Sequence, residues 1–248
     1  TLVLEHTLLS EAAARGGHAG DPDATREHIL AILSHELRNP LAPIIMWTST
    51  LRRLRPDDAQ VHQATRAIDR AVALVRRVIE DVSDLSRLER GTLTLHVEPL
   101  DLGALVRDVL AGERRLFADA QLRLAEALPL QPVPIEGDPE RLRQVVIHLV
   151  RNATRFTPAG GEVGVAVVPH PATVDLRVSD SGPGLPASLL PHLFTPFTQG
   201  PNAHGGLGVG LAVTRGLVTL HRGTVEAIAH GERGGATVVV TLPGGAAP

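Results

Sequence analysis

Three clusters of residues stand out for the chemistry they could do. His35 is followed directly by Glu36, with Asn39 a little further on. An imidazole beside a carboxylate can become a nucleophile or a general base. The carboxylate accepts a hydrogen bond from one ring nitrogen and stabilises positive charge while the other nitrogen acts. On a helix Asn39 falls about 40 degrees round from His35, so its amide shares that face and could position a water. Asp180 heads the string DSGPG, in which Gly182 and Gly184 let the backbone turn tightly beside a carboxylate. Gly206, Gly208 and Gly210 alternate just ahead of a helical run, an arrangement that brings backbone amides close to an anion.

These residues need elements to hold them. From Asp23 the pattern is helical: Ile29, Leu33, Leu37, Ile44, Thr48 and Leu51 recur at helical steps, with a bend expected near Pro40 and Pro43. Leu33, Leu37, Ile44 and Leu51 lie roughly 160 to 200 degrees round from His35, which puts His35 on the solvent side. A turn at 55–58 leads into a second helix with Val61, Ala64, Ile68, Val72, Val75, Ile79, Val82 and Leu85 in one stripe, ended by Gly91. A two-helix hairpin cannot bury both stripes alone, so a homodimeric four-helix bundle through residues 23–91 is expected.

After Gly91 the period changes. Strands are expected at 92–97, 121–128, 162–168, 173–179, 224–229 and 236–242. Helices are expected at 101–119, at 138–156 opened by Asp138 and Pro139, and at 209–221. The fold class is therefore α followed by α/β, with a linker or helix end at 1–22, a helical hairpin at 23–91 and a mixed α/β domain at 92–248.

Composition narrows the function. The chain is 43% hydrophobic and 21% charged, enough to bury a core, and its net charge of −3 offers no field to attract nucleic acid. Cysteine is absent, which removes disulfides and thiolate metal sites and fits a cytoplasmic protein. No run approaches the about eighteen apolar residues of a membrane span, so no membrane contact by this segment is expected. Lys is also absent, and every basic side chain is Arg.

The segment ILAILSHELRNPLAPI resembles the H box of sensor histidine kinases, and SHELRNPLAPI resembles in particular those hybrid kinases that carry a receiver further along the chain. The resemblance implies that His35 is the phosphoacceptor and Glu36 its general base. It also implies that Asn39 supports dephosphorylation of a partner regulator. Residues 92–242 resemble the Bergerat-type ATPase domain of the same family. Within them RLRQVVIHLVRNATRFTP is similar to the N box, which implies that Asn152 ligates Mg²⁺ on the ATP phosphates and that Arg155 stands where the family often has Lys. His148 replaces a more usual Asn. Imidazole is a poor Mg²⁺ ligand, so His148 either contacts phosphate or packs.

VSDSGPGLP resembles the G1 box, implying that Asp180 reads the adenine amine while Gly182 and Gly184 shape the turn beneath the base. LLPHLFTPF resembles the F box, with Phe194 and Phe197 at the base of a lid. GGLGVGLAV resembles the G2 box, bringing Gly206, Leu207, Gly208, Gly210 and Leu211 to the phosphates. The lid between Phe197 and Gly206 is short and contains no Arg. The resemblance implies ATP-dependent autophosphorylation of His35, then transfer to an aspartate of a response regulator receiver domain. Two rival readings share some of these features: a degenerate kinase serving as a dimeric scaffold, and an ATP-driven clamp of the Hsp90, gyrase or MutL type. Residues 24–90 speak against the clamp.

Overall fold

The computed structural model describes residues 41, 44–55, 57–198, 207–229, 231 and 234–245. The chain divides into two compact units, Thr1–Ile79 and Glu80–Pro248. Among the described residues no helix is long and apolar enough to cross a membrane.

In the first unit, residues 44–54 are helical (α1), and a second helix, α2, runs Ala59–Glu89 and continues into the second unit. Asp58 opens α2 by accepting hydrogen bonds from the amides of Gln60 and Val61 at 3.0 and 3.1 Å, as a capping carboxylate does. Leu41, Val72 and Ile79 form a buried apolar cluster. Beside it Thr48, wholly buried, donates to Asp69 at 2.8 Å, and Arg52 pairs with the same carboxylate. The Thr48 hydrogen bond, helped by Arg52, holds the Asp69 carboxyl below the usual carboxylate range against a smaller burial penalty. The stripes expected from the period are only partly covered. Ile44, Leu51, Ile68 and Val75 remain exposed, as do Met46, Trp47, Leu54 and Leu74.

The helix α2 ends as its Gly91 foretells: Gly91 N–H bonds to the Leu88 carbonyl and Thr92 N–H to that of Arg87, the paired bonds of a Schellman motif. The strand expected at 92–97 does not form. That segment is an extended connection, and its His96 amide donates to the Asp138 carboxylate instead of to a sheet partner. Pairing begins later, in β1 (Glu98–Asp101), whose antiparallel partner is β3 (Pro134–Gly137), a strand the period does not announce.

The main sheet has five strands in the order β2-β4-β5-β7-β6: β2 Arg123–Ala127, β4 Glu162–Pro169, β5 Thr173–Asp180, β7 Thr237–Pro243 and β6 Thr224–Ile228. All neighbours are antiparallel except β2 with β4. Alternate residues Val163, Val165, Val167, Val174, Leu176, Val178, Val238, Val240 and Leu242 are buried, so one face of the sheet is the core. The helices α3 (Leu102–Asp119), α4 (Pro139–Phe156) and α5 (Gly210–Leu220) supply the facing layer. On the opposite face Asp175 gathers His170, Arg177 and Thr241.

Asp101 caps α3 through the Gly103 amide, and Asp138 caps α4 through Glu140 and Arg141. Burial acts to raise the Asp138 carboxyl, but the amides of His96, Arg141 and Glu140 outweigh it and hold the group below the ordinary carboxylate range. Buried His221, at the end of α5, pairs its Nδ1 with the Leu217 carbonyl and accepts the Asp138 amide at Nε2, tying that cap to α5.

Candidate nucleotide site

The helix α4 is the wall on which the candidate residues meet. Its polar side chains Arg141, Gln144, His148 and Asn152 follow one another at steps of three and four, and therefore form one stripe. The first three have partners on the last turns of α2. Arg141 Nη1 donates to Asp84 at 2.7 Å, Gln144 Nε2 to the same oxygen at 2.9 Å, and His148 Nε2 lies 2.9 Å from Asp81 Oδ1. Asn152 is half-buried and has no hydrogen bond to any described side chain.

The pairing of His148 bears on its place in the site. The residue is 8% exposed, its Nε2 is committed to Asp81, and its Nδ1 faces the buried Thr214 hydroxyl at 3.5 Å. Of the two alternatives read from sequence, the packed one matches these partners. Asp81 and Thr214 were not foreseen: Asp81 stands far away in sequence, and nothing in the period of α2 singles it out from its other charged residues.

The near end of the wall is the start of α5. A Cβ at Gly210 would lie 3.6 Å from the His148 ring, so α4 and the first turn of α5 are in contact there. Val209 precedes the helix without any side-chain cap, which leaves the first amides of α5 available to an anion. Leu207 is exposed and Leu211 half-buried beside them.

The far end is the turn after β5. Asp180 is the last residue of that strand and 8% exposed. Its Oδ1 accepts the Gly182 amide at 2.8 Å and the Ala236 amide at 3.2 Å; the second donor, from the start of β7, was not anticipated. Burial pushes the Asp180 carboxyl above its ordinary value, and the two amides only partly offset it. Gly182 sits against the C-terminal end of α4, where a Cβ would come within 2.5 Å of the Phe156 carbonyl. Gly184 has positive φ in the same turn. Arg155, close by on α4, is exposed, and its guanidinium carbon lies 5.3 Å from the Phe156 ring centroid; burial of its inner part lowers its affinity for the proton.

His148, Asn152 and Phe156 are spaced one turn apart on α4. The amides of α5 and the Asp180 turn are thus separated along α4 by two turns, about 12 Å, with Asn152 midway. Phe194 is half-buried, and exposed Phe197 adopts positive φ (63°) while donating its amide to the Gly208 carbonyl at 3.0 Å. Gly208, also at positive φ, has no room for a side chain, since a Cβ would lie 2.5 Å from the Thr198 carbonyl. His35, Glu36, Asn39 and Gly206 lie outside the described residues.

Comparison with known proteins places both units. Residues 25–91 match the family described as the His Kinase A (phospho-acceptor) domain, and residues 137–246 match the histidine kinase-, DNA gyrase B- and HSP90-like ATPases. The chain is 35% identical over 250 residues to the circadian input-output histidine kinase CikA of Synechococcus elongatus, covering 97% of this chain and 33% of that protein. It is 31% identical over 230 residues to hybrid signal transduction histidine kinase D of Dictyostelium discoideum, covering 89% of this chain and 15% of that protein. A crystal structure of full-length ShkA in complex with AMPPNP superposes with a TM-score of 0.70 at 27% identity, covering 89% of this chain and 46% of that one. The chain therefore spans a third or less of the two curated relatives.

Proposed function

Since the chain belongs to the sensor histidine kinases and carries both parts of their catalytic core, we propose that it binds ATP and moves the γ-phosphoryl group onto its own His35. The observation that carries this reading is the layout on α4. A buried carboxylate at one end, helix amides without a side-chain cap at the other and, between them, an amide without a partner among the described residues suit an extended nucleoside triphosphate. Asp180 accepts the adenine amine through the oxygen its two backbone donors leave open. Guanine presents a carbonyl there and would leave a buried carboxylate unpaired, so ATP is preferred over GTP. The first turn of α5, with Gly206, Leu207, Gly208, Gly210 and Leu211, holds the phosphates. Phe194 and Phe197 would flank the start of the lid segment.

Mg²⁺ fits Asn152, whose amide oxygen is a hard ligand without a partner among the described residues. Among the described residues no group of three His, Cys, Asp or Glu could cage a metal, so the ion would take its other ligands from phosphates and water, as Mg²⁺ commonly does. When bound, it would neutralise charge on the phosphates.

In the reaction an imidazole nitrogen of His35 forms a bond to the γ-phosphorus as the bond to the bridging oxygen breaks, leaving phosphohistidine and ADP. Glu36 accepts the hydrogen bond of the other ring nitrogen and stabilises the developing positive charge. The phosphoryl group then passes to an aspartate of a response regulator receiver. Residues 23–91 form the phosphoacceptor hairpin and pair with a second copy; the apolar side chains left exposed on α1 and α2 support this. Residues 92–248 form the catalytic domain.

The test is incubation with γ-labelled Mg-ATP beside His35→Gln and Asn152→Ala, scoring acid-labile, base-stable label on the protein. Label in the wild type alone is expected. Label surviving in His35→Gln would overturn the choice of acceptor, and none in a wild type that binds ATP would favour a scaffold.

A further inference from the structure

The polar stripe of α4 is paired at three positions, and the fourth, Asn152, has no partner among the described residues. The residues next to it along the chain are buried and apolar: Val82 and Leu85 beside Asp81 and Asp84 on α2, Val145 and Leu149 beside Gln144 and His148 on α4, and Val213 beside Thr214 on α5. A buried imidazole facing a partly buried carboxylate in such a setting costs desolvation, which only good geometry and further hydrogen bonds offset. Asp81 and His148 have that geometry at 2.9 Å, with side chains 14% and 7% exposed. A carboxylate only accepts, so the ring nitrogen at Asp81 is the one that carries hydrogen.

What the ring touches on its other side gives the pair a use. His148 Nδ1 faces the hydroxyl of Thr214, which itself donates to the Gly210 carbonyl at 2.9 Å. The ring also faces Gly210, the first residue of α5, where an added Cβ would lie 3.6 Å from it. One turn further along α4, on the same stripe, is Asn152. A single anchored side chain is thus in contact with the helix start that would receive the phosphates, and in register with the amide that would meet the metal.

We infer that Asp81 and His148 are a positioning pair for phosphoryl transfer: Asp81 fixes the His148 ring, and the ring fixes both the first turn of α5 and the facing of Asn152. The inference rests on the proposed kinase reading. It assigns His148 no contact with metal or substrate. The last turns of α2 become part of the nucleotide site's frame, although the period of that helix marks them only as hairpin.

The experiment uses the whole chain with Asp81→Leu, His148→Leu, the double variant and His148→Gln, in which the longer amide can still donate to Asp81. Asp175→Asn, on the opposite face of the sheet, is the control for loss of stability alone. Each is measured for AMPPNP dissociation constant, KM and kcat for ATP in autophosphorylation, and thermal midpoint. Each leucine variant is expected to weaken AMPPNP binding and raise KM roughly tenfold, within the coupling seen between contacting residues. The double variant should be no worse than either single one, and His148→Gln should lie close to wild type. Asp175→Asn should lower the midpoint with KM unchanged. Should a single leucine variant fail to fold, the double, which replaces the pair by apolar side chains, is read against His148→Gln. Unchanged KM and AMPPNP affinity in the leucine variants, or losses that multiply in the double, would overturn the inference while wild-type binding keeps the kinase reading. A wild type that binds no AMPPNP overturns both.

Discussion

At the scale of single residues, Asp180 gives the sharpest prediction because its environment conflicts with its charge. Its carboxyl is raised by burial, so between the unfolded value of 3.8 and its higher folded value the native state holds more protons than the unfolded one. Stability should therefore fall as pH rises through that window. Asp180→Asn keeps an acceptor for the two amides but cannot ionise. It should show no such fall and should melt no lower than wild type at neutral pH, while binding AMPPNP roughly 10- to 100-fold more weakly through loss of the charged acceptor. Thermal midpoints from pH 3.5 to 7, beside nucleotide titration, check both parts. Sequence marks this residue because a carboxylate followed by two closely spaced glycines is a local signal. It could not mark Ala236 or Asp81, whose contributions come from chain segments that only folding brings together. The same holds for His148: residue type limits the ligands an imidazole can hold, but its neighbours decide which of them it meets.

At the scale of elements, the legible parts are those in which period and cap agree. The helix Pro139–Phe156 begins after Asp138 with Pro at its first position, and α2 stops at its glycine, both as the pattern states. The parts where pattern and structure disagree are short, and in them pairing is decided by residues distant in sequence. Residues 92–97 look like a strand, yet the His96 amide goes to a cap; Pro134–Gly137 carries no strand signal, yet it pairs with Glu98–Asp101. Asp138 accounts for the first case, since it accepts three amides, one from the connection and two from α4. Asp138→Ala should therefore cost about 1–3 kcal/mol, more than an ordinary cap, as measured by urea unfolding at pH 7. The folded carboxyl lies below 3.8, so this contribution is present above the unfolded value and disappears as pH falls through the folded one.

At the scale of the whole molecule, each unit carries one half of the proposed chemistry, and the first shows an unsatisfied surface. Ile68, Leu74 and Val75 on α2, with Ile44, Leu51 and Leu54 on α1, leave more apolar area in water than a short hairpin usually tolerates. Introducing Ile68→Glu together with Val75→Glu should remove about 2 kcal/mol of burial per side chain and weaken self-association at least ~100-fold. Sedimentation velocity reads this directly, and AMPPNP binding by the second unit should be retained. Trp47, on that same surface and 61% exposed, is the sole tryptophan in a chain without tyrosine. Ultraviolet emission excited at long wavelength therefore comes from the helical unit alone, and the nucleotide-binding unit is dark. The wavelength of that emission reports how wet one patch of the hairpin is, so the molecule carries an optical gauge of its own pairing, read without any added label.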